Sequence, residues 1–173
     1  AYAWHKSAYP DKALAEVASL LATAPNDPYF LELKGQVLLE SGRPLEALTP
    51  LRDATRATNN QPLIAALFGH ALIATEDKAN FAEAARVLKA AVAKDNENPF
   101  AWYQLGLVYD QSGDAPRAAM ATAERYLLQG RPKLGLMNAE MAVRGLPTGS
   151  PDWIRAQDIV MVSRTAVGDE KRK

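Results

Sequence analysis

Apolar positions recur along this chain with a helical period, and the whole arrangement returns after about 34 residues. The clearest copy contains Trp102, Leu105, Gly106 and Tyr109, followed by Gly113. Successive residues of this set are three, one, three and four positions apart. This clear copy begins at residue 99, and fainter copies begin at residues 28 and 62. This pattern predicts amphipathic helices joined into hairpins that must stack on their neighbours to bury their apolar faces.

Local signals place the ends of these helices. Proline follows a good N-cap residue at Asp27, Asn98 and Ser150, which is the usual start of a helix. Glycine follows apolar runs at Gly42 and Gly113, as at a helix C-terminus. The predicted helices cover residues 1–8, 11–23, 28–41, 44–57, 62–75, 80–94, 99–112, 115–128, 131–145 and 151–166.

Small residues stand where the two helices of each hairpin should cross. Counted from residues 28, 62 and 99, the eighth position is Gly35, Gly69 and Gly106, and the twentieth from residues 28 and 99 is Ala47 and Ala118. Small residues allow two helix axes to approach closely. This spacing resembles the tetratricopeptide repeat family over nearly the whole chain. The resemblance implies an all-α fold, an α-α superhelix of tetratricopeptide-repeat hairpins with about ten helices.

We expect a single domain over residues 1–167 and a flexible tail at 168–173. The repeat units are 1–27, which is truncated, then 28–61, 62–98 and 99–130, followed by irregular helices over 131–166. Because residue 1 falls in the middle of a unit, we expect the chain to be a piece of a longer protein. Gly130 follows Gly113 after only half a period, so helix 115–128 is predicted to serve two hairpins and to change the superhelical path.

Charge and composition exclude several functions. The chain has 20 basic and 20 acidic residues and no cysteine. This balance gives no reason to expect nucleic acid binding, and no apolar run reaches the roughly 18 residues of a membrane span. His5 and His70 have no carboxylate at a metal-ligand spacing, and motifs of catalysis or nucleotide binding are missing. We therefore expect no catalytic residue, no metal and no cofactor: this chain is not an enzyme.

In the tetratricopeptide architecture the first helices of the hairpins line a concave groove that binds a protein or peptide. Family members that grip a C-terminal carboxylate use Lys and Asn there, whereas this chain has Glu and Gln on one helix and Ala66 and His70 on the next. The groove should instead be apolar and aromatic with a mildly acidic rim. An extended segment or a helix could occupy it. The alternative, that Leu63, Ile73 and Leu107 are core residues, stays open. The candidate partner-binding residues are Tyr29, Glu32, Gln36, Glu40, His70, Phe100, Tyr103, Leu107 and Asp110.

The last predicted helix carries apolar residues around its circumference, whereas a terminal helix of a repeat array usually has a polar outer face. Trp153, Ile154, Ile159 and Val162 are therefore a possible docking surface. Burial against helix 131–145 is the alternative.

Three stretches, 3–6 (AWHK), 26–36 (NDPYFLELKGQ) and 149–159 (GSPDWIRAQDI), resemble the C-terminal repeat domain of BepA-like periplasmic zinc metallopeptidases. The HExxH motif of their protease half does not occur in this chain. The resemblance implies a periplasmic module that recruits substrates and partners for outer-membrane protein assembly and quality control. Its partners would be outer-membrane proteins, the β-barrel assembly machinery and the parent's own protease domain. A stand-alone adaptor or scaffold, periplasmic or cytoplasmic, and an accessory subunit that holds a lipid or peptide are the alternatives.

Overall fold

The computed structural model describes residues 9–170, with side chains up to Gly168, and helices are the only regular secondary structure in this part of the chain. The predicted helix 1–8 and the residues after Glu170 lie outside it. Nine α-helices and a short 3₁₀ helix, Lys78–Asn80, make up the described part. The α-helices are α1 (Pro10–Thr23), α2 (Pro28–Glu40), α3 (Pro44–Ala57), α4 (Pro62–Ala74), α5 (Phe81–Lys94), α6 (Pro99–Gln111), α7 (Ala115–Leu128), α8 (Pro132–Gly145) and α9 (Pro151–Glu170).

Most helix ends fall within one residue of their predicted positions, because the signals that set them are local. The Asp27 carboxylate accepts hydrogen bonds from the backbone N–H groups of Tyr29 and Phe30, and the side chain of Asn98 caps α6 in the same way. The largest difference is at α9, which the sequence predicts to end at residue 166 and which continues to Glu170.

The chain forms two compact units, and the first ends at Ala91. Within it, α2 and α3 form one hairpin, and α4 pairs with α5. The glycine at the eighth position of each hairpin makes the crossing possible: a Cβ on Gly35 would overlap the side chain of Leu51, and one on Gly69 would lie 2.5 Å from Cγ of Leu88. Both leucines are fully buried, so each glycine leaves the space that a leucine fills.

The second unit runs from Val92 and contains α6 to α9. Helix α7 is at its centre and packs against α6, α8 and α9. At the crossing of α6 and α7, a Cβ on Gly106 would lie 3.7 Å from Cβ of Ala121. At the crossing of α7 and α8, a Cβ on Gly135 would lie 3.5 Å from the backbone oxygen of Ala123. Helix α7 is therefore a member of two hairpins.

The ends of α6 and α7 show the same repetition. Gly113 and Gly130 both have positive φ angles, 77° and 68°. The residue after each glycine donates a backbone hydrogen bond of 2.9 Å back into the helix, Asp114 to Tyr109 and Arg131 to Tyr126. Thus α7 ends as the first helix of a hairpin ends, although it is the second helix of the hairpin that α6 begins. The change in superhelical path at this point stays a prediction.

Candidate partner-binding groove

The predicted groove residues are divided between the two units, and those of the first unit lie on α2 and α4. Tyr29 is 63% exposed at the start of α2. Farther along α2, Glu32 and Gln36 are half-buried, and the Gln36 amide donates a 2.8 Å hydrogen bond to the exposed Glu40 carboxylate. Burial raises the pKa of Glu32. This face of α2 therefore has one exposed aromatic ring beside a polar pair whose amide is already engaged.

His70 is half-buried on α4, and burial lowers the pKa of its imidazole. Two of the residues that the sequence left open as core residues lie on the same helix. Ile73 is buried and belongs to the core, whereas Leu63 is 60% exposed and does not. Ala66 is also fully buried and cannot reach a ligand. Helix α4 thus offers Leu63 and part of His70 at its surface.

In the second unit, an open groove of about 330 Å³ lies between α6, α7 and α8. Three predicted residues on α6, Tyr103, Leu107 and Asp110, line it together. Phe100 lies one turn before Tyr103 and is 40% exposed, but it is not part of the groove lining. The remaining lining residues are Gly106, Ala115, Ala118, Ala119, Thr122, Arg125, Asn138 and Met141.

The floor of the groove is made of small side chains. Ala118 and Ala119 of α7 are buried beneath it, and Gly106 of α6 is buried beside them. Since none of these side chains extends beyond a Cβ, the space between α6 and α8 stays open. Large side chains stand at its edges, with Tyr103 41% exposed and Met141 55% exposed.

Arg125 is the cation of the groove. Its guanidinium carbon lies 4.9 Å from the centre of the Tyr103 ring and 4.7 Å from that of Tyr126. Its Nε atom is buried and has no hydrogen-bond partner among the described residues. The guanidinium lies within cation–π distance of both rings, and these contacts stabilise its position.

Sequence reasoning missed Arg125, Asn138 and Met141, because it assigned the groove to first helices alone. The Asn138 amide donates to the backbone oxygen of Leu134 at 2.9 Å, which leaves its carbonyl oxygen able to accept. The half-period between Gly113 and Gly130 could have indicated Arg125, since it makes α7 a first helix as well, but it does not point to Asn138 and Met141 on α8.

The last helix corrects one of the predicted docking residues. Ile159 is 4% exposed, because it belongs to a buried stripe with Ala156, Val160 and Ser163 at spacings of three and four residues. Ile154 and Val162 are 51% and 54% exposed, as a docking surface requires. Trp153 is half-buried.

An ion pair ties α9 to α7 beside this stripe. Arg155 Nε donates to Glu124 Oε1 at 2.5 Å, and the Arg155 guanidinium lies 4.8 Å from the centre of the Trp102 ring. Burial raises the pKa of Glu124, and the positive charge of Arg155 opposes this shift. The contact therefore places a buried carboxylate against a cation and helps to fix α9.

Residues 9–170 show no cluster of His, Asp and Glu that could hold a metal ion. Over the same residues, no helix has both the length and the apolar character to cross a membrane.

Antiparallel helical pairs with small residues at their crossings, and an open groove lined by aromatic and methionine side chains, define a helical-repeat protein of the kind that binds other proteins. The tetratricopeptide repeat profile matches residues 9–62 and 73–134. The chain belongs to the tetratricopeptide repeat family, whose members bind protein or peptide partners and are generally not catalytic. No curated protein sequence matches it.

Solved structures share the fold. MamA from Desulfovibrio magneticus RS-1, residues 41 to the end, is 21% identical over 97% of this chain and 91% of its own, with a TM-score of 0.69. A crystal structure of MamA is 19% identical over 98% and 95% of the two chains, with a TM-score of 0.67. TTC0263, a thermophilic TPR protein from Thermus thermophilus, is 22% identical over 96% and 94%, with a TM-score of 0.57. The predicted all-α tetratricopeptide-repeat fold is confirmed.

Proposed function

We propose that this chain is a non-catalytic protein-interaction module whose partner lies in the groove between α6, α7 and α8. The observation that carries the proposal is the exposure of Tyr103 and Met141 on either side of a floor of small residues. Aromatic side chains dominate the energetics of protein interfaces, and methionine adapts its shape to different partners. Such edges above an open floor suit the side chains of a bound segment.

The groove also offers hydrogen-bonding groups at its rim. Thr122 and Asn138 line it beside the charged Arg125 and Asp110. A few polar groups around an apolar centre give an interface its orientation and specificity, while the apolar centre gives most of its affinity. A peptide segment with mixed side chains fits this arrangement better than a purely apolar lipid tail.

The biological setting we propose is the partner-recruiting half of a periplasmic zinc metallopeptidase in outer-membrane protein assembly and quality control. Residues 26–36 and 149–159, through their resemblance to the BepA-like group, support this setting. Its partners would be outer-membrane proteins, the β-barrel assembly machinery and the parent's protease domain, and its location would be the periplasm.

A stand-alone adaptor or scaffold is the second candidate. The three solved structures are covered over 91–95% of their own chains, so those chains contain little besides a repeat array of this kind. This fits an adaptor at least as well as a protease half. The parent reading frame separates the two settings, since an HExxH motif upstream supports the first and its absence supports the second.

Site-specific photo-crosslinking in the native host tests the groove. A photoreactive phenylalanine replaces Tyr103 in one variant and Met141 in another, and Leu45 in the control variant, because Leu45 is 69% exposed but lies on α3, which carries none of the predicted binding residues. We expect the two groove positions to capture the same protein and position 45 not to capture it. Equal capture from position 45, or none from either groove position, would contradict the proposal.

A further inference from the structure

The groove between α6, α7 and α8 carries a positive charge at one end and a negative charge at the other. We propose that it selects a partner segment in which an acidic and a basic residue stand about 10 Å apart, with apolar side chains between them. The acidic residue meets Arg125 and the basic residue meets Asp110. This inference rests on the proposed function, because it specifies the chemistry of the segment bound at that site.

The register of α6 against α7 fixes where the two charges lie. The contact between Arg125 and the Tyr103 ring puts these residues at the same level of the hairpin. One turn along α6, Gly106 faces Ala121 and Thr122, so later residues of α6 face earlier residues of α7. Asp110 is thus at the opposite end of the groove from Arg125. Seven residues of helix separate Asp110 from Tyr103, which corresponds to about 10 Å.

Neither charge is neutralised by the described part of the chain. Arg125 forms no ion pair there, and its Nε atom lacks a hydrogen-bond partner. Asp110 likewise has no basic partner among the described residues. The other arginines mostly do pair with carboxylates, as in Arg43–Glu46, Arg52–Glu83, Arg117–Asp152, Arg155–Glu124 and Arg164–Glu140. The groove therefore holds two charges that a bound segment is free to complement.

The wall between the charges is apolar. Leu107 stands on α6 between Tyr103 and Asp110, Met141 stands on α8, and Ala118 lies in the floor. A charge order of acidic, apolar, basic matches this wall in one direction only, because the opposite order would bring like charges together at both ends. The required spacing is about seven residues in a bound helix or about three in an extended strand.

Selection of binders from a phage-displayed library of random peptides on the full chain tests this. The selected peptides should carry an acidic residue about seven or about three positions from a basic one. With the best peptide made synthetically and labelled, fluorescence anisotropy gives its Kd for the wild type and for Arg125→Gln and Asp110→Asn. Each substitution should weaken binding by about tenfold or more, as expected for loss of a charge-assisted contact.

Two controls separate charge recognition from loss of structure. Arg131→Gln removes another guanidinium that stacks on Tyr126, at 5.2 Å, but lies outside the groove, and it should leave the Kd unchanged. Replacing the acidic residue of the peptide by its amide should weaken binding to the wild type but not weaken it further for Arg125→Gln. Circular dichroism verifies that each variant is folded.

The outcomes distinguish this inference from the function on which it rests. If Met141→Ala weakens the peptide while Arg125→Gln and Asp110→Asn do not, the charge order is wrong and the groove still binds a partner. If selection yields no peptide, or only peptides insensitive to Met141→Ala, both the groove assignment and the charge order are overturned.

Discussion

The glycines at the eighth position of the hairpins are equivalent in sequence but not in packing, and this difference gives a measurable prediction. A Cβ on Gly69 would lie 2.5, 2.6 and 3.0 Å from Cγ, Cδ2 and Cδ1 of Leu88. Leu88 is fully buried and cannot move outwards. A Cβ on Gly106 would lie no closer than 3.4 Å to its nearest neighbour, Thr122 Oγ1, which is ordinary contact.

The magnitudes follow from two opposing effects of a substitution by alanine. Alanine favours a helix interior over glycine by about 1 kcal/mol. Forcing an extra methyl group into a packed core costs about 1–3 kcal/mol. Gly69→Ala has both effects and should lower the free energy of unfolding by up to about 2 kcal/mol. Gly106→Ala has the first effect alone and should raise the free energy of unfolding by about 0.5–1 kcal/mol.

Urea unfolding followed by far-ultraviolet circular dichroism measures both changes. With an m-value of about 2 kcal/mol/M, Gly69→Ala should lower the midpoint by up to about 1 M, and Gly106→Ala should raise it by about 0.3–0.5 M. Gly168→Ala is the control for propensity alone, because no atom lies within 4 Å of its added Cβ. Shifts of the same sign for Gly69→Ala and Gly106→Ala would refute the packing argument.

The remaining predictions concern buried ionisable groups. Arg155→Met should destabilise the chain by about 1–3 kcal/mol at pH 7, because it leaves the nearly buried Glu124 carboxylate without its cation. The cost should fall at pH 4, where more of Glu124 is protonated, and Arg164→Met, which breaks the more exposed pair with Glu140, should cost under about 1 kcal/mol. Urea titrations at the two pH values check this, and an equal cost at both would contradict it. Burial lowers the pKa of His70, so the neutral imidazole favours the folded state above the unfolded pKa of about 6.5 and this contribution is lost as the pH falls through the lower folded value. An NMR titration should place the His70 pKa below about 6.5. His70→Gln should reduce the loss of unfolding free energy between about pH 7 and 5. A pKa of His70 above about 6.5 would contradict the argument that burial disfavours its charged form.

The sequence predicts the helices well because their ends depend on neighbouring residues. Asp27 and Asn98 cap their helices by bonds to backbone groups two and three residues away, and Gly113 and Gly130 end theirs through a positive φ. All four signals can be found in windows of a few residues. The burial of Ile159 needed the orientation of a whole helix, which a count of apolar residues around its circumference does not provide.

The sequence predicts only the α6 side of the groove, because only that side depends on spacing within one helix. Tyr103, Leu107 and Asp110 lie on one face of one helix, so their helical spacing was enough to group them. Met141 belongs to the groove only because α8 brings it there, and no local pattern marks it. Arg125 lies on α7, which only the half-period between Gly113 and Gly130 indicates as a groove helix. Their position depends on which helices pack together, which is tertiary information.

The irregular half-period after α6 is what creates this groove. Because α7 belongs to two hairpins, α6 and α8 both pack against it and become the two walls of one channel. Gly106 and Gly135 allow α7 to approach its two neighbours closely. Gly106, together with Ala118 and Ala119, also forms the low floor between the walls. In a strictly regular repeat, α7 would be only the second helix of the hairpin that α6 begins. The face of α7 that carries its small residues would then not lie between two hairpin neighbours. The departure from the repeat thus explains why the second unit carries the site that we propose binds the partner.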